Sequence, residues 1–185
     1  TMPNEDNVLW IVVHETGMKL TGLFAEAFDK VQWDRATGDT KPDSVSWHYT
    51  VDDHQIIQNY EDDIACWHAG DGSAIGGGNK NGIGIEMCIN PDGKYDASFR
   101  NDARLVASLL IRHNLNMANV KRHRDFMSKD CPETMIKERR WFEFLDLVAK
   151  EYISQTLLSQ FEITYETNSE ALATWPIAGV YQKVD

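Results

Sequence analysis

The sequence predicts an α/β fold in which a central mixed β-sheet is flanked by α-helices. Three observations carry that expectation. A continuous apolar run, Val8-Leu9-Trp10-Ile11-Val12-Val13, has the length and β-branched content of a strand buried on both faces. Segments of alternating polarity at 46–51 and 82–88 interleave with stretches of helical spacing. Finally, residues 46–51 and 55–59 are separated by little more than the turn at Asp52-Asp53. That separation suits a hairpin, which adds an antiparallel pair to the sheet.

In chain order, residues 19–33 place Leu20, Phe24, Ala27, Phe28 and Val31 on one helical face, and 34–45 read as loop. Trp47, Tyr49 and Val51 then alternate with Ser46, His48 and Thr50. Residues 69–82, dense in Gly and Asn, read as loop. In the next strand Ile83, Ile85 and Met87 face one way and Gly84, Glu86 and Cys88 the other. Asn90-Pro91-Asp92-Gly93 is a turn, followed by a helix carrying Phe99, Ala103, Val106 and Leu110 to about Asn114. A short strand is expected at 119–123. A last helix is expected at 132–158, with Trp141, Leu145, Val148 and Tyr152 on one stripe. After Ser159 the periodicity fades. The expected organisation is one catalytic domain over 1–159 and a tail over 160–185, either a linker or an added strand.

The 185 residues suit one globular domain. A net charge of −11 argues against a nucleic-acid backbone as the main partner, because phosphates call for a basic surface. The same charge gives little attraction to any polyanionic surface, so a separate basic or sugar-binding module would have to supply that affinity. No apolar run approaches the roughly 20 residues of a membrane span. The polar, acidic N-terminus has no visible signal peptide. Cys66, Cys88 and Cys131 are too few, and odd in number, for a disulfide framework.

Three residues stand where elements end. His14 follows the first strand, His123 closes the short strand at 119–123, and Cys131 lies in Lys129-Asp130-Cys131-Pro132. Two imidazoles and a thiolate suit zinc and leave a fourth position for water. A histidine at a strand end is more often structural, however, and a lone cysteine is more often a small core residue. Spacing alone leaves ligation open. Glu86 sits mid-strand between apolar residues: it is either a general base beside a metal or an ordinary residue on the polar face of an edge strand. Lys129 is either a solvated lysine or, if Cys131 is a ligand, a charge close enough to stabilise an oxyanion. Trp67-His68-Ala69-Gly70 and Trp47-His48 each pair an aromatic plate with an imidazole, suited to gripping a sugar-peptide or to packing in the core.

The stretches Ile11-Val12-Val13-His14-Glu15-Thr16, Ser46-Trp47-His48-Tyr49-Thr50-Val51-Asp52-Asp53, Trp67-His68-Ala69-Gly70, Gly82-Ile83-Gly84-Ile85-Glu86, and Val120-Lys121-Arg122-His123 with Lys129-Asp130-Cys131-Pro132 resemble the type-2 N-acetylmuramoyl-L-alanine amidase family. That family includes phage endolysins, bacterial autolysins and peptidoglycan recognition proteins. The resemblance runs in family order over roughly residues 8–150. It implies one zinc ion on His14, His123 and Cys131, with Glu86 and Lys129 assisting, and a metal at the floor of a groove. Trp47, Trp67 and His68 are then expected to contact substrate. Some relatives carry a catalytic tyrosine where this chain has Trp47, which leaves the base role to Glu86. The implied substrate is peptidoglycan and the implied place of action the cell wall, reached by secretion or by release from a phage-infected cell. The rival implication is a non-catalytic peptidoglycan-binding module of the same fold; those commonly lack the ligand cysteine that Cys131 supplies here. A zinc peptidase cutting within the stem peptide lacks its HxH signature in this sequence.

Overall fold

The structure, a computed structural model, describes residues 2–3, 8–38 and 45–167, with side chains over 8–38 and 45–160. In chain order the elements are β1 (Met2–Pro3), β2 (Trp10–Glu15), α1 (Ala25–Thr37), β3 (Tyr49–Val51), β4 (Ile56–Gln58), β5 (Ile64–Ala65), α2 (Gly78–Asn81), β6 (Gly82–Met87), α3 (Tyr95–Arg112), β7 (Val120–Arg122), α4 (Glu133–Lys137) and α5 (Trp141–Thr167). Five strands form one sheet in the order β4-β3-β6-β2-β7, while β1 and β5 make a small antiparallel pair of their own. β3, β6, β2 and β7 run parallel, and β4 closes the edge antiparallel to β3. The sheet is mixed, as expected, and its antiparallel member is the hairpin around Asp52-Asp53.

The central strands are buried on both faces, and the apolar side of the alternation turns to the larger core. Ile11 and Val13 of β2 join Ile83, Ile85 and Met87 of β6 in one core with Phe99, Val106, Leu109 and Leu110 of α3 and Phe144 and Val148 of α5. Each large apolar side chain so buried contributes about 1.5–3 kcal/mol. Val12, on the opposite face of β2, is also fully buried, so this strand is covered on both sides. Against β3 and β4, α1 sets Phe28 on Trp47 and Cys88 as a second, smaller apolar cluster.

Element boundaries differ from the expectation in several places, and α1 also runs on to Thr37 into the expected loop. α1 starts at Ala25 rather than Lys19, because Gly22 takes φ 81° and the buried Asp52 carboxylate accepts the Ala25 N–H at 2.9 Å. The single helix expected at 132–158 is two helices, parted where Arg139 adopts φ 59°, and the second continues to Thr167. The loop at 69–82 contains the one-turn α2. The expected linker or strand over the rest of the tail falls on residues 168–185, outside the described residues.

Candidate active site

The register of the parallel strands builds the site. His14 pairs with Glu86 across β2 and β6, and Glu86 pairs with Thr50 across β6 and β3. Because β6 lies in the middle of the sheet, Glu86 is not on an edge strand. β7 lies parallel beside β2 and delivers His123 in the turn directly after its last residue. His14 and His123 therefore meet near the C-terminal ends of neighbouring parallel strands, where open α/β sheets place their ligand crevices.

Cys131 arrives by another route. Glu15, buried next to His14, accepts the backbone N–H of Thr134 at 2.6 Å and of Met135 at 3.3 Å, and its Oε1 also takes the Tyr95 hydroxyl at 2.8 Å. One carboxylate thus ties the start of α4 to the end of β2 and holds the segment before α4, with Cys131, against His14. The Cys131 Sγ lies 3.8 Å from His14 Nδ1, and the two Nδ1 atoms of His14 and His123 are 3.0 Å apart. The three donor atoms lie within 4.8 Å of one another.

The donor set fits a zinc ion. Ligands on a tetrahedral ion with bonds of about 2.0–2.3 Å sit roughly 3.3–3.6 Å from each other. Burial works against charge in this cluster: it holds His14 well below the ordinary histidine range, lowers His123 to about 4, and pushes the Cys131 thiol up to about 12. Glu86 rises to about 8, again through burial, against the Lys129 charge that lowers it. Its Oε1 is 3.9 Å from His14 Nδ1, and its buried Oε2 has no hydrogen-bond partner among the described residues. A divalent cation would compensate this cluster by displacing the thiol proton and engaging the lone pairs. A second group, Glu26, Asp52 and His54, also brings donor atoms together, but Asp52 already accepts from the backbone of Ala25, His54 and Gln55. It caps α1 and the hairpin turn.

Beside the donor cluster opens a groove of about 480 Å³ lined by Val45, Trp67, His68, Gly70, Gly72, Asn79, Glu86, His123, Met127 and Lys129. Lys129 is exposed at its rim and Trp67 offers part of its ring. Trp47 is not brought to the groove: at 6% exposure it packs on Phe28, and its Nε1 donates to Thr50 Oγ1 at 2.8 Å. His68 touches the groove but is only 5% exposed, with its ring held behind His14.

A family model described as N-acetylmuramoyl-L-alanine amidase matches residues 4–134. The chain belongs to this family. The amidase XlyA of Bacillus subtilis (strain 168) is 37% identical over 129 residues, 69% of this chain and 40% of that protein. The amidase CwlH of the same strain is 35% identical over 137 residues, 74% of this chain and 51% of that protein. The chain thus spans about half the length of these curated relatives or less. The catalytic domain of XlyA superposes with a TM-score of 0.67 at 34% identity, covering 77% of this chain and 86% of that one. A mutant endolysin from Bacillus subtilis gives a TM-score of 0.68 at 32% identity, with the same coverage.

Two residues of this amidase-family site escaped the sequence reading. Glu15 sits beside His14 in the first family stretch, and its polar side chain at the end of an apolar strand was a usable signal. Asn79 was not legible. It lies in a Gly/Asn-rich loop, and only the fold turns its buried Oδ1 to accept both the His68 and Ala69 N–H groups, at 2.7 and 2.6 Å.

Proposed function

We propose that this chain is a zinc-dependent amidase that hydrolyses the bond between N-acetylmuramic acid and the L-alanine of the stem peptide in peptidoglycan. The observation that carries the reading is the convergence of His14, His123 and Cys131 beside Glu86 on the floor of an open groove, in a chain of the N-acetylmuramoyl-L-alanine amidase family. Zinc held by those three side chains supplies Lewis acidity toward the scissile carbonyl and toward water. Glu86 provides the proton relay: Oε2, buried and without a hydrogen-bond partner among the described residues, takes the proton of the attacking water and returns it to the departing alanine nitrogen. The Lys129 ammonium at the rim stabilises negative charge on the carbonyl oxygen. Trp67 at the mouth gives the sugar-peptide an apolar plate, and the catalytic unit is residues 1–159 together with the remainder of α5. With a chain this acidic, affinity for the wall comes from a separate wall-binding module, and the enzyme acts on the wall after secretion or phage release.

Mass spectrometry of a defined muropeptide digest tests the bond: free stem peptide with intact glycan is expected. Peptide fragments cut between stem residues would overturn the assignment. Chelation should abolish the release and added zinc should restore it. Glu86→Gln should keep its zinc and lose about 10²–10⁴-fold in turnover; full activity in that variant removes Glu86 from the role.

A further inference from the structure

The mechanism above gives no task to a buried imidazole directly behind the metal cluster. His68 places Nδ1 3.1 Å from His14 Nε2 and its own Nε2 3.2 Å from the Gly82 carbonyl oxygen. A carbonyl oxygen only accepts, so the His68 Nε2 must carry the proton for this contact to be a hydrogen bond. In a neutral ring that leaves Nδ1 of His68 as an acceptor. His14 Nε2 must then be the donor, and the remaining nitrogen of His14, Nδ1, is left with its lone pair. That is the atom facing His123 Nδ1 and Cys131 Sγ. The reverse arrangement would put the His68 Nε2 lone pair against the Gly82 carbonyl and a proton on His14 Nδ1, among the donor atoms.

We propose that His68 is a positioning residue that fixes His14 in the Nε2–H tautomer through the chain Gly82 C=O, His68, His14. The inference deepens the zinc reading and rests on it for its consequence, though not for its geometry. Metal-ligating histidines ordinarily donate their second N–H to a carboxylate, a carbonyl or water. Here a neutral imidazole takes that place and passes the polarity of a backbone carbonyl to the ligand.

The surroundings hold the His68 ring in this pose. A Cβ at Gly84 would come within 2.6 Å of the ring, so the ring lies directly on the bare backbone of β6. The His68 N–H is fixed by Asn79 Oδ1, and Asp71 in turn accepts the Asn79 N–H at 3.1 Å. Part of the Gly/Asn-rich loop therefore serves to hold His68. His48 stands edge-on to His68 at 5.9 Å between ring centres and is locked by the same logic. Its Nδ1 accepts the Gly84 N–H at 3.0 Å and its Nε2 meets the Ile64 carbonyl at 2.7 Å.

The decisive measurement is long-range ¹H–¹⁵N NMR on the labelled chain as purified, with zinc content determined on the same sample. The expected result is a His68 ring protonated at Nε2, with a ¹⁵N–¹⁵N coupling across the hydrogen bond from His14 Nε2 to His68 Nδ1. A His68 ring protonated at Nδ1, or the absence of that coupling, overturns the proposal. A chain that has the coupling but binds no zinc keeps the relay and sinks the metal reading, so the two failures are distinguishable. Variants give a second arm. His68→Gln retains an acceptor for His14 and a donor for Gly82, and should hold zinc within about threefold of the parent in a chelator competition. His68→Phe has no acceptor and should bind zinc about 10–100-fold more weakly. Equal zinc affinity in a folded His68→Phe also overturns the proposal.

Discussion

At the residue scale, one carboxylate next to His14 organises much of the site. Glu15 accepts two backbone N–H groups from the first turn of α4 and a tyrosine hydroxyl, so it joins β2, α3 and α4 at one point. Charge-assisted bonds of this kind are stronger than neutral ones, and removing the acceptor leaves buried donors unsatisfied. Glu15→Ala should therefore cost about 2–4 kcal/mol in a denaturant titration, and zinc affinity should fall with it because Cys131 is no longer drawn to His14. Gly84 is a residue of the opposite kind, needed for what it lacks. Gly84→Ala sets a methyl against the His68 ring, and a measurable drop in Tm with a shifted His68 resonance is expected.

At the scale of elements, the break between α4 and α5 separates a short helix that seats Cys131 from a long one that completes the core. Arg139 takes a left-handed φ of 59° there and is exposed. Since a Cβ is disfavoured in that region, Arg139→Gly should raise stability by about 0.5–1 kcal/mol with activity unchanged, read from thermal melts and muropeptide assays. The expectation of one continuous helix over 132–158 failed for this reason. Apolar spacing survives a one-residue left-handed turn, and arginine carries no sign of it. The N-terminus of α1 was misplaced for a related reason. Leu20 and Phe24 keep helical spacing, but the cap is Asp52, a residue remote in sequence. The strands were legible, since alternation at 82–88 marks the face turned to the larger core and β-branched apolar residues in the run at 8–13 favour an extended, covered strand.

At the scale of the whole molecule, α3 buries an acid that the proposed reaction does not use. Asp102 is fully buried, and neither carboxyl oxygen has a hydrogen-bond partner among the described residues. Burial, with the Glu15 and Glu86 charges, raises its pKa well above the ordinary carboxylate value. A folded pKa above the unfolded one favours folding while the group is protonated in both states, and that advantage is lost as pH rises past the unfolded value. The parent chain should accordingly lose stability with rising pH from about 4 upward through this group. Asp102→Asn should remove that slope, raising Tm at pH 8 by about 2–4 °C for each kcal/mol regained and changing it little at pH 4. An unchanged difference between the two pH values would count against it.

The sequence by itself determined the five strands of the mixed sheet and offered His14, His123 and Cys131 as candidate metal ligands, because apolar patterning and side-chain chemistry are local properties. It placed His14 and His123 at strand ends and Cys131 before α4. It could not decide whether three residues spread over more than a hundred positions converge. The parallel register of β6, β2 and β7, and the grip of Glu15 on α4, settled that. Tertiary structure also separated the two Trp-His pairs, which look alike in sequence. Trp47 went to an apolar cluster with α1, and Trp67 to the groove. His68 lines the groove but turns its ring against His14, because only the folded sheet sets the bare backbone of Gly84 and the carbonyl of Gly82 against it. Tautomers and ligand geometry depend on which atoms face each other across the sheet, and that is information the linear order of residues does not contain.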